Sequence, residues 1–172
     1  ERESSGQGQW ISTSLLQAMI SMCDFQAARW TIAKDVPGQA GNNHPTSIPT
    51  GVFKTKDGYI NIAASGQHIY KRFCECVQSP ELVTDARFAT DKSRAQNRDA
   101  LNAEIEKRVA AYGSAELVEK LNKAGVPAGP IYKMDEMFAD PQVKHLKMAH
   151  PVHSPKLGDI EVIGQAINMS RT

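Results

Sequence analysis

Helical and alternating patterns of apolar residues succeed one another along this chain. From Ser12 or Thr13, residues of the N-cap type, Leu15, Leu16, Met19, Ile20 and Cys23 keep helical spacing and predict a helix to about Thr31. Residues 34–51 hold Pro37, Pro45 and Pro49 with Gly38, Gly41 and Gly51, too many breakers for regular structure, and predict a long loop. Two short β-rich runs follow, joined at Lys56-Asp57-Gly58. Asp-Gly between apolar runs predicts a tight hairpin, because glycine reaches the positive φ that such turns need. Ile69, Tyr70, Phe73, Cys74 and Val77 mark one face of a helix over about 67–77. Ser79-Pro80 predicts a short helix with Ser79 as N-cap and proline in its first turn. Leu101, Ile105 and Val109 form the stripe of a helix opened by Asn97 or Asp99. Ser114 is expected to cap the next helix, which carries Leu117, Val118 and Leu121 and ends at Gly125. Residues 126–131 are too rich in Pro and Gly for either element. Asp135 and Asp140-Pro141 start two further helical turns, and 148–152 and 159–163 read as strands. The predicted class is α+β, a small antiparallel sheet of hairpins with several short helices.

Composition changes this picture little. A chain of 172 residues with 41% apolar content suits one soluble globular domain. A net charge of +1, with acids and bases interspersed, argues against nucleic acid and against a membrane surface as partners. No apolar run approaches the 18 or so residues of a membrane span, and no signal peptide is expected. Three cysteines cannot all pair, and secreted disulfide scaffolds carry more, so the expected compartment is the reducing cytoplasm.

Candidate chemistry is sparse. Cys74-x-Cys76 with His68 upstream does not have the spacing of a zinc site, and residues two apart on a helix point in different directions. Those thiols are expected to be buried or half-buried. His145, His150 and His153 cluster in sequence without a carboxylate patterned beside them; unligated surface histidines are preferred over a metal set. Gly6-x-Gly8 lacks the third glycine of a dinucleotide fingerprint, and there is no P-loop or nucleophile elbow. The loop Gly41, Asn42, Asn43, His44, Pro45 and Thr46 is the exception. It offers mobile backbone and hydrogen-bonding side chains with hardly any apolar surface, so core packing does not account for it. Either it is a solvated connector in which His44 caps a turn, or it borders a site.

Gly-Asn-x-His-Pro, a spacer, Phe-x-Thr-x-Asp-Gly and Ile-x-Ile-Ala-Ala resemble the small domain of family III CoA-transferases. The same family's segments are matched by Pro80-Glu81-Leu82 through Asp85-Ala86-Arg87-Phe88, by Arg94 and Asn97-Arg98, by residues 124–130 (AGVPAGP) and by Asp140-Pro141-Gln142-Val143. Gly6-Gln7-Gly8-Gln9, Ser14-Leu15-Leu16 and Ser170-Arg171-Thr172 resemble its flanking segments, all in the family's order.

The resemblance implies a fold like that small domain, and transfer of coenzyme A between an acyl-CoA and a carboxylate. It implies no metal and no cofactor beyond the coenzyme A thioester as substrate. The family's nucleophilic aspartate carries the acyl group as a mixed anhydride and belongs to a large domain upstream of the Gly-Gln segment. No acid here sits in that context, so no catalytic residue is assigned. The resemblance places Asn42, Asn43, His44 and Pro45 over the acyl-CoA, with Gly41 and Thr46 shaping the loop, and favours dicarboxylate substrates such as succinate. The expected layout is a leader and helix over 1–33, a polar loop over 34–51, the small α+β domain over 52–165 and a linker remnant over 166–172. The expected partners are acyl-CoA, bound weakly or not at all, and a second copy or a full-length transferase. The rival function is a non-catalytic oligomerising module that pairs through its amphipathic first helix.

Overall fold

The computed structural model describes residues 2–164, 166 and 167. The resemblance at Ser170-Arg171-Thr172, and most of the expected linker, lie outside the described residues. The chain divides into two compact units between Gly41 and Asn42.

In the first unit, α1 (Arg2–Ser5) precedes α2 (Leu15–Ser21) and α3 (Asp24–Ala33). The single helix predicted here is interrupted at Met22-Cys23, and the leader holds one helical turn at α1. Ser14 caps α2 through a reciprocal box with Gln17, and Lys34 closes α3 in the left-handed conformation. Neither α2 nor α3 contains a buried residue.

The second unit is built on an antiparallel sheet of order β1-β2-β3: β1 (Thr50–Lys54), β2 (Tyr59–Ala63) and β3 (Ala128–Pro130). Side chains alternate across β1 and β2, burying Phe53, Ile60 and Ile62, with Phe53 paired to Ile60 and Gly51 to Ile62. The turn between them is a four-residue loop closed by Thr55 N–H to the Gly58 carbonyl (2.9 Å), and Gly58 does not have positive φ. The hairpin stands where predicted, but the reason given for its glycine does not hold. A Cβ on Gly58 would lie 3.2 Å from Ser114 Oγ, so close approach, not backbone conformation, is what favours a small residue there.

Helices α4 (Gln67–Cys76), α7 (Arg98–Val109) and α8 (Ser114–Lys123) share one hydrophobic core with this sheet through Tyr70, Phe73, Leu101, Ile105, Leu117 and Leu121, while α5 (Glu81–Thr84) packs on α4 and α6 (Asp91–Gln96) on α7. Each such side chain moved out of water contributes about 1.5–3 kcal/mol before entropy is counted. Cys74 lies within this core, where burial pushes its thiol up to about 11; Cys76 is half-buried.

Local expectations fail where a distant partner decides the outcome. Ser79 does not cap α5; it accepts from Arg108 Nε (2.5 Å), and Pro80 stands at the N-cap. Helix α6 was not predicted, since it buries only Arg94. Thr90 and Ser93 cap it reciprocally. Ala128–Pro130 pairs with β2 despite Pro130, because the end of an edge strand tolerates a missing N–H. Beyond it come α9 (Met134–Ala139), α10 (Pro141–His145) and the hairpin of β4 (Ala149–Ser154) and β5 (Gly158–Ile163). That hairpin sets Asp159 opposite His153, with 2.8 Å between Oδ1 and Nδ1, so one histidine of the cluster does have a carboxylate beside it.

Candidate functional site: the 41–48 loop and its polar rail

Half of the polar loop is pinned to the outer edge of β1. The Asn42 carbonyl accepts from Val52 N–H (3.2 Å) and His44 N–H donates to the Thr50 carbonyl (2.8 Å), which sets Asn43 opposite Gly51 as an isolated bridge. Gly41, at φ +58°, turns the chain just ahead of this pairing, in the left-handed region that favours glycine. After the bridge the chain bends through Pro45 to the cis Ile48-Pro49 peptide, where both residues are buried. His44 Nδ1 accepts from the backbone N–H groups of Thr46 (3.2 Å) and Ser47 (2.9 Å). With Nδ1 an acceptor, the neutral imidazole carries its proton on Nε2. Capping a turn is thus one thing that His44 does.

The other side of the loop rests on three polar side chains spaced four residues apart. Arg94 Nε donates to the Ile48 carbonyl (3.3 Å), Arg98 Nη2 to the Pro45 carbonyl (2.7 Å), and Asn102 Nδ2 to Asn43 Oδ1 (3.0 Å). The rail therefore runs 94, 98, 102 against 48, 45, 43, antiparallel to the loop. Spacing of four puts residues on one helix face, and α6 and α7 continue that face with a break only at Asn97.

Arg94 differs from the other two. Its side chain is 0% exposed and stacks on Tyr70 at 4.3 Å. It also donates to Gln67 Oε1 (3.2 Å), to the Phe88 carbonyl (2.8 Å) and to the Asp91 carboxylate. A guanidinium this buried is tolerable only when so fully bonded, which makes it part of the fold. Arg98 is half-buried, and its Nε is buried without an acceptor among the described residues. A solvent-open cleft of about 440 Å³, lined by residues 95–100, lies at the start of α7 beside it.

Of the predicted loop, Gly41, Asn42 and Thr46 are exposed, while Asn43, His44 and Pro45 are half-buried. Sequence reading quoted Arg94 and Arg98 only as pieces of a pattern and passed over Asn102. Their four-residue spacing was the available signal; that this face meets the loop was not. No three His, Cys, Asp or Glu side chains gather as a metal site would need among the described residues, and no described helix is long and apolar enough to cross a membrane.

Several known proteins are similar to this chain. Succinyl-CoA:mesaconate CoA-transferase of Haloarcula marismortui is 31% identical over 99% of the chain and 43% of its own length. Succinyl-CoA:glutarate CoA-transferase of Homo sapiens is 29% identical over 99% of the chain and 39% of its own length. A crystal structure of a CaiB/BaiF family protein from Brucella suis matches with a TM-score of 0.77 at 33% identity, over 99% of this chain and 44% of that one. The Mycobacterium tuberculosis protein Rv3272, at 23% identity and a TM-score of 0.78 over 98% of this chain and 44% of that one, shares the fold. The chain thus spans less than half the length of these relatives. The family model for CoA-transferase family III matches residues 1–172, and the chain belongs to that family.

Proposed function

We propose that this chain is the small-domain part of an enzyme that moves coenzyme A between an acyl-CoA and a free carboxylate. Dicarboxylates such as succinate are the favoured substrates, a choice supported by the names of the two transferases above. The observation that carries the reading is the polar strip 41–46, held from two sides yet outside the core, in a family whose members transfer coenzyme A. Closed over an acyl-CoA, such a strip keeps water from an activated acyl group. The nucleophile is an aspartate outside this chain; a carboxylate nucleophile divides one hard transfer into two easier ones. Alone, the chain is inactive and binds acyl-CoA weakly or not at all. The reaction takes place in the cytoplasm, in keeping with three unpaired cysteines.

The purified chain is mixed with succinyl-CoA and glutarate, and the thioesters are separated chromatographically. No exchange above the protein-free background is expected. Turnover by the isolated chain would sink the claim that its nucleophile lies elsewhere.

A second reading is favoured by the first unit, where Trp10, Leu15 and Leu16 are 92%, 88% and 69% exposed. Apolar surface of that kind suits a module that pairs with a second copy or with a full-length transferase, with no catalysis of its own. Light scattering behind a sizing column decides it: a strictly monomeric chain that also ignores a full-length transferase removes this reading.

A further inference from the structure

We infer that Arg98 and Asn102 are positioning residues of the transfer reaction, acting through the loop they hold; this rests on the proposed role of that loop. Their two bonds bracket His44. Asn102 fixes the side chain of Asn43 just before it, and Arg98 fixes the carbonyl of Pro45 just after it. Between the two grips, the His44 ring is turned so that Nδ1 faces the amides of Thr46 and Ser47. Beside its pairing with β1, the strip is therefore held by side chains that lie outside it.

The chemistry suits positioning. A guanidinium donating to a carbonyl makes a short, directional bond that neutral donors match poorly. The acceptor is backbone, so the grip constrains the path of the chain whatever side chain stands there. Arg94 completes the rail at Ile48, but its burial and its bonds to Gln67, Phe88 and Asp91 commit it to the fold. Arg98 and Asn102 lack that second duty among the described residues. They sit on α7 beside Leu101, Ile105 and Val109, which share their face at three-, four- and seven-residue spacing and anchor the helix in the core. A loop fixed from a rigid helix is held more tightly than a loop can hold itself, and catalytic geometry is sensitive on that scale.

Two measurements test this. In the chain itself, Arg98→Gln and Asn102→Ala are compared with wild type by amide hydrogen exchange. The His44 and Ser47 amides are expected to exchange faster, while Phe53 and Ile60 in the sheet keep their protection. Arg98→Lys, which can still donate to the Pro45 carbonyl, restores most of the loop's protection. In the transferase of which this chain is the small-domain part, Arg98→Gln lowers kcat by about tenfold to a hundredfold. KM for the acyl-CoA changes less, and Arg98→Lys recovers part of kcat. Wild-type exchange of the loop in Arg98→Gln overturns the inference and leaves the proposed function standing. A loosened loop with unchanged kcat overturns the loop's part in the reaction itself.

Discussion

Asp57, in the turn between β1 and β2, caps a helix that begins far along the chain at Ser114. Its Oδ1 accepts from the Ser114 backbone N–H (2.7 Å) and from the Ser114 hydroxyl (2.8 Å). Ser114 was expected to be the cap; instead Gly113 holds that position without a side chain, and a carboxylate from the sheet supplies the oxygen. The negative charge also faces the positive end of the α8 dipole. Both effects favour the ionised form, and the Ser114 backbone bond is foremost in holding the Asp57 carboxyl below its ordinary range. Asp57→Ala should lower the melting temperature by roughly 2–4 °C. Asp57→Asn, which keeps an acceptor oxygen, should recover part of it. An unchanged melting curve for Asp57→Ala would show that α8 needs no cap from the turn.

Acid should loosen the joint between α5 and α7. Arg108 donates to Glu104 Oε2 (2.7 Å), Glu81 Oε1 (2.9 Å) and Ser79 Oγ (2.5 Å), which ties those helices together. Bonds from Arg108, then Lys107, hold the Glu104 carboxyl down at about 2, and Arg108 holds Glu81 below its ordinary range. A depressed carboxyl pKa means that the folded state binds fewer protons. The stabilisation is therefore complete above the unfolded value of 4.5 and is lost as pH falls toward about 2. Thermal melts of wild type should drop through that window, and those of Arg108→Gln should drop less steeply. Parallel curves for the two proteins would remove the network from the account.

Elements with a one-sided apolar stripe were legible in the sequence. Tyr70, Phe73, Cys74 and Val77 mark α4, and Leu117 and Leu121 with Gly125 at φ +72° mark α8 and its end. What escaped depended on partners remote in sequence. The strand Ala128–Pro130 takes its place by pairing with β2, far earlier in the chain, with Ala128 opposite Ile62 and Pro130 opposite Ile60. Its own composition says only loop. The helix α6 presents a single buried residue, an arginine, so hydrophobic periodicity has nothing to report there. The site divides in the same way. Residues 41–46 stood out by polarity, while Asn102 looked like any exposed helix residue until its partner Asn43 was in place.

Gly51 offers a way to displace the loop from the sheet side, leaving the Arg94 and Arg98 grips at Ile48 and Pro45 untouched. It lies opposite Asn43 in the isolated bridge and does not have positive φ, so only space is at issue. A Cβ added there would meet Asn43 Oδ1 at 2.8 Å and the Asn42 carbonyl oxygen at 2.9 Å. The side chain can swing aside, but the carbonyl is backbone and is bonded to Val52 N–H (3.2 Å), so the bridge itself must open. Gly51→Ala should cost about 1–3 kcal/mol as overpacking. It should also speed amide exchange at His44 and Val52, the two donors that pin the loop to β1. Gly129→Ala is the control, since a Cβ there would meet nothing within 4 Å. Its stability should differ little from wild type. If Gly51→Ala kept wild-type protection at His44, the pairing of loop to sheet would not be what holds the 42–44 strip in place.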